Sequence, residues 1–333
     1  MKNYLYILFI LLSTIVFAQP EFSDLAVKPG AFSRIGFGAR GIGLGNAVSS
    51  ITEGELVSYY NPAITPFQEN NSAQVGYSFL SLDRSLNFLS FTRRFDFYSS
   101  KDTITENRKP RTTAGLSIGV INSGVGKIDG RDNNGLSTGE LSTSENQFFI
   151  GLAARVSEKI SLGVSAKFFY YKLYEKVSTN GLGFDIGALY RINNNFNVSL
   201  VIADINSKYK WDTSPIYEQQ GIISEDKFPT LKKIGVSYRN KEIGILGAIE
   251  FENINAQLNI LRAGVEYNIY DKFYIRGGID QFNLNNTDWP AKPSLGFSYF
   301  QTFGSFVAGV DYAFQIEQYS ASDRHIVSVN FNF

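Results

Sequence analysis

The chain has 333 residues, with 31 Lys plus Arg against 31 Asp plus Glu, and this zero net charge removes any broad electrostatic case for nucleic-acid binding. It has no cysteine and a single histidine, His325, which excludes disulfide frameworks, cysteine-zinc sites, thiol nucleophiles and multi-histidine metal cages. With 28 Phe, 19 Tyr and 30 Gly at only 19% charged residues, and a mean hydropathy near zero, the composition suits a β protein with one greasy and one polar surface.

In chain order the first element is an export signal. Lys2 precedes an apolar stretch from Tyr4 to Phe17, broken only by Ser13 and Thr14, and Val16-Phe17-Ala18 provides a cleavage site. The stretch of 14 residues falls short of the roughly 20 that a membrane-crossing helix needs. Residues 1–18 are therefore expected to be a cleaved signal peptide, with Gln19 the mature start. No cysteine follows to open the lipoprotein route, and no later window is apolar for the length of a membrane helix. The mature chain is expected to be exported and not to be a helical membrane protein.

Residues 19–71 show no alternation but carry Gly30, Gly36, Gly38, Gly41, Gly43 and Gly45, then Tyr59-Tyr60-Asn61-Pro62-Ala63. Gly36-x-Gly38-x-x-Gly41 has a dinucleotide-binding spacing, which means something only between a strand and a helix of a βαβ unit. Glycine also lets a compact segment thread close to other backbone, so an N-terminal plug filling a barrel is expected here. Asn61-Pro62 reads as a turn that ends any short helix before it.

From residue 72 onward one theme recurs: apolar residues alternating with small or polar ones, then a turn. The clearest run is Ile160, Leu162, Val164, Ala166, Phe168 and Tyr170, interleaved with Ser161, Gly163, Ser165, Lys167 and Phe169. Period two places the two sets on opposite faces of a strand. Such segments are centred near residues 76, 89, 117, 151, 166, 187, 199, 235, 247, 264, 276, 297, 310 and 329, which makes about fourteen. Short turns are expected at 157–159, 192–195, 239–242, 269–272 and 302–304. Long loops are expected at 122–146, 175–181, 204–230, 252–257, 281–293 and 316–324, with 95–111 breaking the pattern.

This alternation of short and long connections belongs to an up-and-down transmembrane antiparallel β-barrel with tight periplasmic turns. A soluble sandwich would carry Lys, Glu and Thr on its wet face, whereas here that face is rich in Gly and Ser. Phe168 with Tyr170, Tyr267 with Tyr270, and Tyr312 with Phe314 fall where interfacial aromatic girdles lie. The last strand alternates to the final residue, and Phe331 and Phe333 resemble the C-terminal signal by which outer-membrane barrels are recognised for assembly.

Parity turns Arg155, Lys167, Asp185, Arg239, Arg262, Glu266, Arg276, Asp280 and Asp311 into the lumen, where they are expected to pair with one another, with water or with plug backbone. His325 and Ser328 are three positions apart and so face opposite ways, which leaves no catalytic pair. Gly130-Arg131-Asp132-Asn133-Asn134-Gly135 suggests a calcium loop but lacks the first carboxylate and the closing glutamate. The 204–230 loop, 27 residues long, holds Tyr209, Trp211 and Tyr217 with Ile216, Ile222 and Ile223, as either a partner-binding surface or a lid over the barrel. In Leu86-Asn87-Phe88-Leu89-Ser90-Phe91 the alternation slips by one residue, as at a strand kink.

A family resemblance rests on specific residues. Ala39-Arg40-Gly41-Ile42-Gly43-Leu44-Gly45-Asn46-Ala47 followed by Tyr59-Tyr60-Asn61-Pro62-Ala63 resembles the N-terminal signature of the PorV/PorQ family, whose members are related to FadL-type fatty-acid channels. Asn134-Gly135, Thr138-Gly139-Glu140, Phe228-Pro229-Thr230 and Gly235-Val236-Ser237-Tyr238 are similar to further landmarks. So are 261–267, Lys292-Pro293-Ser294-Leu295-Gly296-Phe297, Asp311-Tyr312-Ala313 and Asp323-Arg324-His325-Ile326, while Asn46 departs from the family's usual second glycine. The resemblance implies a 14-stranded barrel with a hatch carrying Arg40, Gly41, Gly43, Gly45, Asn61, Pro62 and Ala63. It also implies a role beside type IX secretion, with outer-membrane lipid and secretion or attachment proteins as partners. Two functions are carried forward: a binding scaffold for such proteins, and a FadL-like passive channel for small hydrophobic molecules. No enzyme activity, cofactor, metal or nucleic acid is expected.

Overall fold

The computed structural model describes residues 28–54, 58–98, 110–255, 257–286, 288 and 290–333; the expected signal peptide lies outside them, as does most of 95–111. The strands are β1 (Ser72–Phe79), β2 (Ser85–Phe97), β3 (Thr112–Arg131), β4 (Ser137–Arg155), β5 (Ile160–Tyr174), β6 (Val177–Arg191), β7 (Phe196–Ile205) and β8 (Lys208–Asp212). They continue as β9 (Ile223–Lys227), β10 (Leu231–Asn240), β11 (Ile245–Ile254), β12 (Leu258–Tyr270), β13 (Phe273–Asn283), β14 (Lys292–Phe303), β15 (Phe306–Gln315) and β16 (Arg324–Asn332). Fourteen of them close one antiparallel barrel in chain order, with β8 and β9 set aside as a hairpin so that β7 pairs with β10. β1 and β16 close the ring from Ser72 opposite Asn332 to Phe79 opposite His325, and Phe333 exchanges two backbone hydrogen bonds with Asn71.

The exposed face is the greasy one. On β5, Leu162 and Val164 are about half exposed, whereas Ser161 before them and Lys167 beyond them are buried. Leu89, Ile150, Ile186 and Leu295 point outward in the same way. Each such side chain gains roughly 1.5–3 kcal/mol on leaving water, so a belt of this kind needs hydrocarbon around it. This is a transmembrane barrel.

Turns 156–159, 192–195, 241–244, 271–272 and 304–305 lie at the end that also carries Ser72 and Asn332. The other end carries the longer 206–230, 284–291 and 316–323 connections. Two expected loops are not loops. Residues 122–146 form the upper halves of β3 and β4 around the tight turn 132–136. A polar ladder holds them together beyond the apolar belt: Asn87 donates to Asn122 at 3.1 Å and Asn122 to Asn146 at 2.7 Å. Asp132 accepts from the backbone N–H groups of Asn134 and Leu136 and so closes the turn that had suggested calcium. Similarly, 175–181 shrinks to a turn at 175–176, because Val177 already begins β6.

The expected slip in β2 is absent, since β2 pairs with β1 and β3 without a register shift. Leu86 and Phe88 simply place apolar side chains on the inward face, where the segment before β1 covers them. Register shifts occur elsewhere. On β7, Ala203 and Asp204 together oppose Asp185, and on β13, Asp280 and Gln281 oppose Arg262. Asp204 (φ 59°) and Gln281 (φ 55°) take the left-handed conformation that such bulges use.

The described residues of 28–54 and 58–71 lie inside the barrel, with short helical turns at Ala31–Arg34, Ala39–Gly43 and Pro62–Phe67. Pro62 opens the last of these rather than ending an earlier helix. Its fixed φ suits the first helical position, and the Asn61 side chain caps by accepting from the Ala63 N–H at 2.9 Å. Two cross-strand glycine pairs make room for this backbone. A Cβ on Gly163 or Gly187 would fall 2.6 Å from Ala63 N or 2.1 Å from Asn61 Oδ1. On Gly264 or Gly278 it would fall 2.3 Å from Leu44 O or 2.2 Å from Gly45 N. The glycines on the lumen face mark where the internal segment docks.

Candidate functional site: an aromatic wall and an ionic wall around the internal segment

The wall formed by β2 to β5 turns Phe88, Ile121, Phe149 and Phe169 inward. Phe37 of the internal segment stacks on Phe88 with centroids 5.4 Å apart, and Tyr59 meets Phe37 at 4.8 Å and Phe149 at 5.4 Å. From the far end the β8–β9 hairpin adds Tyr209, which lies 4.9 Å from Phe228; Phe228 lies 4.7 Å from Phe169. Trp211 closes the stack against Tyr209 and Tyr171 at 5.7 and 5.3 Å. Tyr209 is fully buried, its hydroxyl finds no hydrogen-bond partner, and burial raises its pKa, so it stays protonated. The expectation of a partner loop thus divides. Tyr209 is a lid residue because its ring completes the aromatic stack, Trp211 is half-buried, and Tyr217 with Ile216, Ile222 and Ile223 remains exposed.

The wall formed by β10 to β15 is ionic. Arg262 lies 3.0 Å from Glu252, 3.5 Å from Glu250 and 2.7 Å from Asp280, and Lys233 adds a contact to Glu252 at 3.1 Å. Arg40 of the internal segment grips Glu266 with Nε and Nη2 at 2.9 and 2.8 Å, and its Nη1 donates to the Glu53 carbonyl. Arg276 stands 3.1 Å from Glu266 and 3.5 Å from Asp311, which in turn accepts from Ser298 and Asn330. Across the lumen, Lys167 bridges Asp185 and Asp204 at 2.8 and 2.9 Å and lies 4.6 Å from the Tyr59 ring. Buried charges of this kind are tolerated because each is met by a counter-charge or a hydrogen-bond partner.

Asn46 ties the internal segment to the ionic wall. It holds φ 59°, where glycine or asparagine is favoured, and donates to Asp280 at 2.7 Å while accepting from the Tyr60 hydroxyl at 2.6 Å. Burial raises the Tyr60 pKa and keeps that proton in place. The departure from the family's usual glycine therefore keeps the backbone shape and adds a bridge. Gly41 and Gly43 pack under Tyr60 and Arg276, and Gly45 (φ 60°) lies against Ile279 backbone. Between the walls lies a cavity of about 30 Å³, reached by Tyr59, Lys167, Asp204, Lys233, Glu252 and Arg262.

Of the nine charges expected in the lumen, seven are deeply buried; Arg155 and Arg239 lie toward the end that carries Ser72 and Asn332, with Arg239 paired to Glu53. Sequence reasoning missed Glu250, Glu252, Lys233 and Arg324, although their parity is inward. Arg324 is fully buried and donates to the carbonyls of Ile35 and Gly36 at 2.6 and 3.0 Å. His325 lies on the outer face against the Tyr312 hydroxyl at 2.7 Å, whereas Ser328 faces inward and accepts from the Ala39 N–H at 2.9 Å. Phe331 and Phe333 are exposed on the outer surface.

These features define a closed 14-stranded antiparallel barrel of outer-membrane type with an N-terminal segment packed into its lumen. No protein-family model matches the chain, and no curated protein does. Among solved structures it is similar to the CymD monoaromatic hydrocarbon channel, with TM-score 0.60 and 13% identity over 90% of this chain and 97% of that one. It is also similar to the Pseudomonas putida toluene transporter TodX, with TM-score 0.56 and 12% identity over 89% and 96%. A third is a Pseudomonas aeruginosa FadL homologue, with TM-score 0.52 and 10% identity over 89% and 97%. At these identities the likeness is one of fold. The fold is FadL-like, and the PorV/PorQ assignment rests on the sequence landmarks alone.

Proposed function

We propose that this protein is a bacterial outer-membrane barrel that passes small hydrophobic molecules inward along its aromatic wall, by a FadL-like route. The observation that carries the reading is the stack from Trp211 through Tyr209, Phe228 and Phe169 to Phe149, Tyr59, Phe37 and Phe88. A water-filled pore lines its lumen with polar groups; here the inward parity of four neighbouring strands carries large carbon surfaces instead. Rings that pack on one another by dispersion can part around an apolar guest without stranding a charge. The fold shared with hydrocarbon channels supports the same direction. Uptake of a radiolabelled hydrophobic solute by intact cells, with and without the protein, tests it. Expression should raise the uptake rate and Phe169→Arg should abolish the gain while the barrel still assembles; uptake indifferent to expression sinks the reading.

A second reading is favoured by one feature, the exposed tip of the β8–β9 hairpin, where Ile216, Tyr217, Ile222 and Ile223 stand in solvent. With the PorV/PorQ landmarks, it supports a scaffold that binds exported or attachment proteins beside type IX secretion. Affinity purification from the native envelope should then recover such proteins, and a barrel that always purifies alone speaks against it.

A further inference from the structure

At the barrel end that carries Ser72 and Asn332, β2, β4 and β6 each bring in an arginine: Arg94, Arg155 and Arg191. The strands between them offer only the short Thr113 and Ser161 on the inward face. The guanidinium carbons of Arg155 and Arg191 lie 4.8 and 4.4 Å from the centroid of one ring, Phe67. Their charges are therefore within about 10 Å of each other, the order of a Debye length, and they repel. Arg155 donates to the Glu158 carbonyl at 2.6 Å and Arg191 to Thr52 Oγ1 at 3.2 Å. Among the described residues neither has a carboxylate at ion-pairing distance, whereas Arg94 is held by Asp96 at 2.9 Å.

These three arginines, with Arg111 and Lys159, line a cavity of about 400 Å³ in which Glu158 is the single carboxylate among the described residues. A second cavity of about 470 Å³, on the side of Phe67, shares Arg94, Arg155 and Arg191 and also meets Glu53, Glu69 and Glu242, of which Glu53 is held by Arg239 and Lys241. The excess belongs to the first of these cavities. Elsewhere in the lumen Arg40, Lys167, Lys233, Arg262 and Arg276 each lie against a carboxylate, and Arg324 against backbone carbonyls. Arg155 and Arg191, without an ion-pairing carboxylate among the described residues and both set over one ring, are arranged for an anion from solution. Arg94 is engaged by Asp96 and the Gln68 carbonyl and adds charge. The guanidinium groups of Arg155 and Arg191 offer more donors than the two oxygens of a carboxylate can accept, and their forks match phosphate oxygens two at a time.

We propose that Arg94, Arg155 and Arg191, backed by Phe67, form a binding site for a soluble oxyanion of the phosphate and diphosphate class, entering from this end of the barrel. The site stands independently of the hydrophobic route proposed above. Calorimetric titration of the folded full chain in dodecyl maltoside with inorganic pyrophosphate at low salt tests it. Saturable binding is expected, weakened at least about tenfold in the Arg155→Gln/Arg191→Gln double variant and unchanged in Lys272→Gln across the mouth. Heat-modifiable migration on gels reports folding of each variant. If the glutamine pair does not fold, Arg155→Lys/Arg191→Lys keeps the charge without the fork and should still weaken binding. Inorganic phosphate should compete and acetate should not. Absence of saturable binding to the wild-type protein, equal affinity in a folded double variant, or equal competition by acetate overturns the proposal.

Discussion

The wall of β2 to β5 and the wall of β10 to β15 fill the same lumen by opposite means. The first presents Phe88, Ile121, Phe149 and Phe169; the second presents Glu250, Glu252, Arg262, Glu266, Arg276 and Asp280. Apolar packing is non-directional, so the first wall tolerates rearrangement provided volume is kept. Ion pairs in low dielectric are directional and unforgiving, because removing one partner strands the other. The internal segment is thus anchored on its charged side by Arg40 and Asn46. On its aromatic side it is held mainly by ring packing, with one long hydrogen bond from Tyr59 to Gln147 and the Lys167 ammonium over the Tyr59 ring. A passage that opens without unfolding the barrel is expected along the aromatic wall.

The severest way to break this comparison is Arg262→Met, which leaves Glu250, Glu252 and Asp280 facing one another with Lys233 as their remaining ion-pair partner among the described residues. A loss of about 3–5 kcal/mol, or failure to reach the folded form, is expected in urea titrations followed by heat-modifiable migration. A loss below about 1 kcal/mol, the range of an exposed pair, contradicts the unequal roles of the walls.

Asn46→Gly preserves the left-handed backbone but unbridges Tyr60 and Asp280. It should cost about 1–3 kcal/mol. The change should appear first as faster proteolysis within residues 28–71 while the barrel core resists; simultaneous digestion of both counts against a separately anchored segment.

On the other wall, Phe169→Leu keeps most of the volume and should cost less than about 1.5 kcal/mol, with hydrophobic uptake retained. A cost as large as that of Arg262→Met erases the distinction. The mildest change is Tyr217→Ser at the exposed hairpin tip, which should move stability by no more than about 0.5 kcal/mol. Partner recovery in pull-downs should fall if the scaffold reading is right, and unaltered recovery argues against the tip as the contact.

Much of this was legible from the chain. All fourteen barrel strands fall on the segments read from alternation, and the parity that turned Lys167, Arg262 and Asp280 inward holds. Where reading failed, the signal was polar where geometry was regular, or apolar where the polar side was expected. The 122–146 run looked like loop because both its faces are polar, yet paired asparagines extend the ladder. Phe88 looked like a slip because a large ring occupies the lumen parity, where the internal segment supplies its cover. Glu250 and Glu252 stood on inward positions and were readable; Asp204 was not, since a bulge turns it toward Lys167.

The sequence by itself determined the number of strands, which side of each meets hydrocarbon, and the glycine-rich character of the segment before them. Period two is a property of the extended backbone, and solvent sorts the two faces strand by strand, so neither needs a distant partner. Only the tertiary structure decided that Arg40 meets Glu266, that Leu44-Gly45 rests on Gly264 and Gly278, and that three arginines share one mouth. Those encounters depend on ring closure, stagger and two bulges, which bring together residues hundreds of positions apart that no local pattern connects.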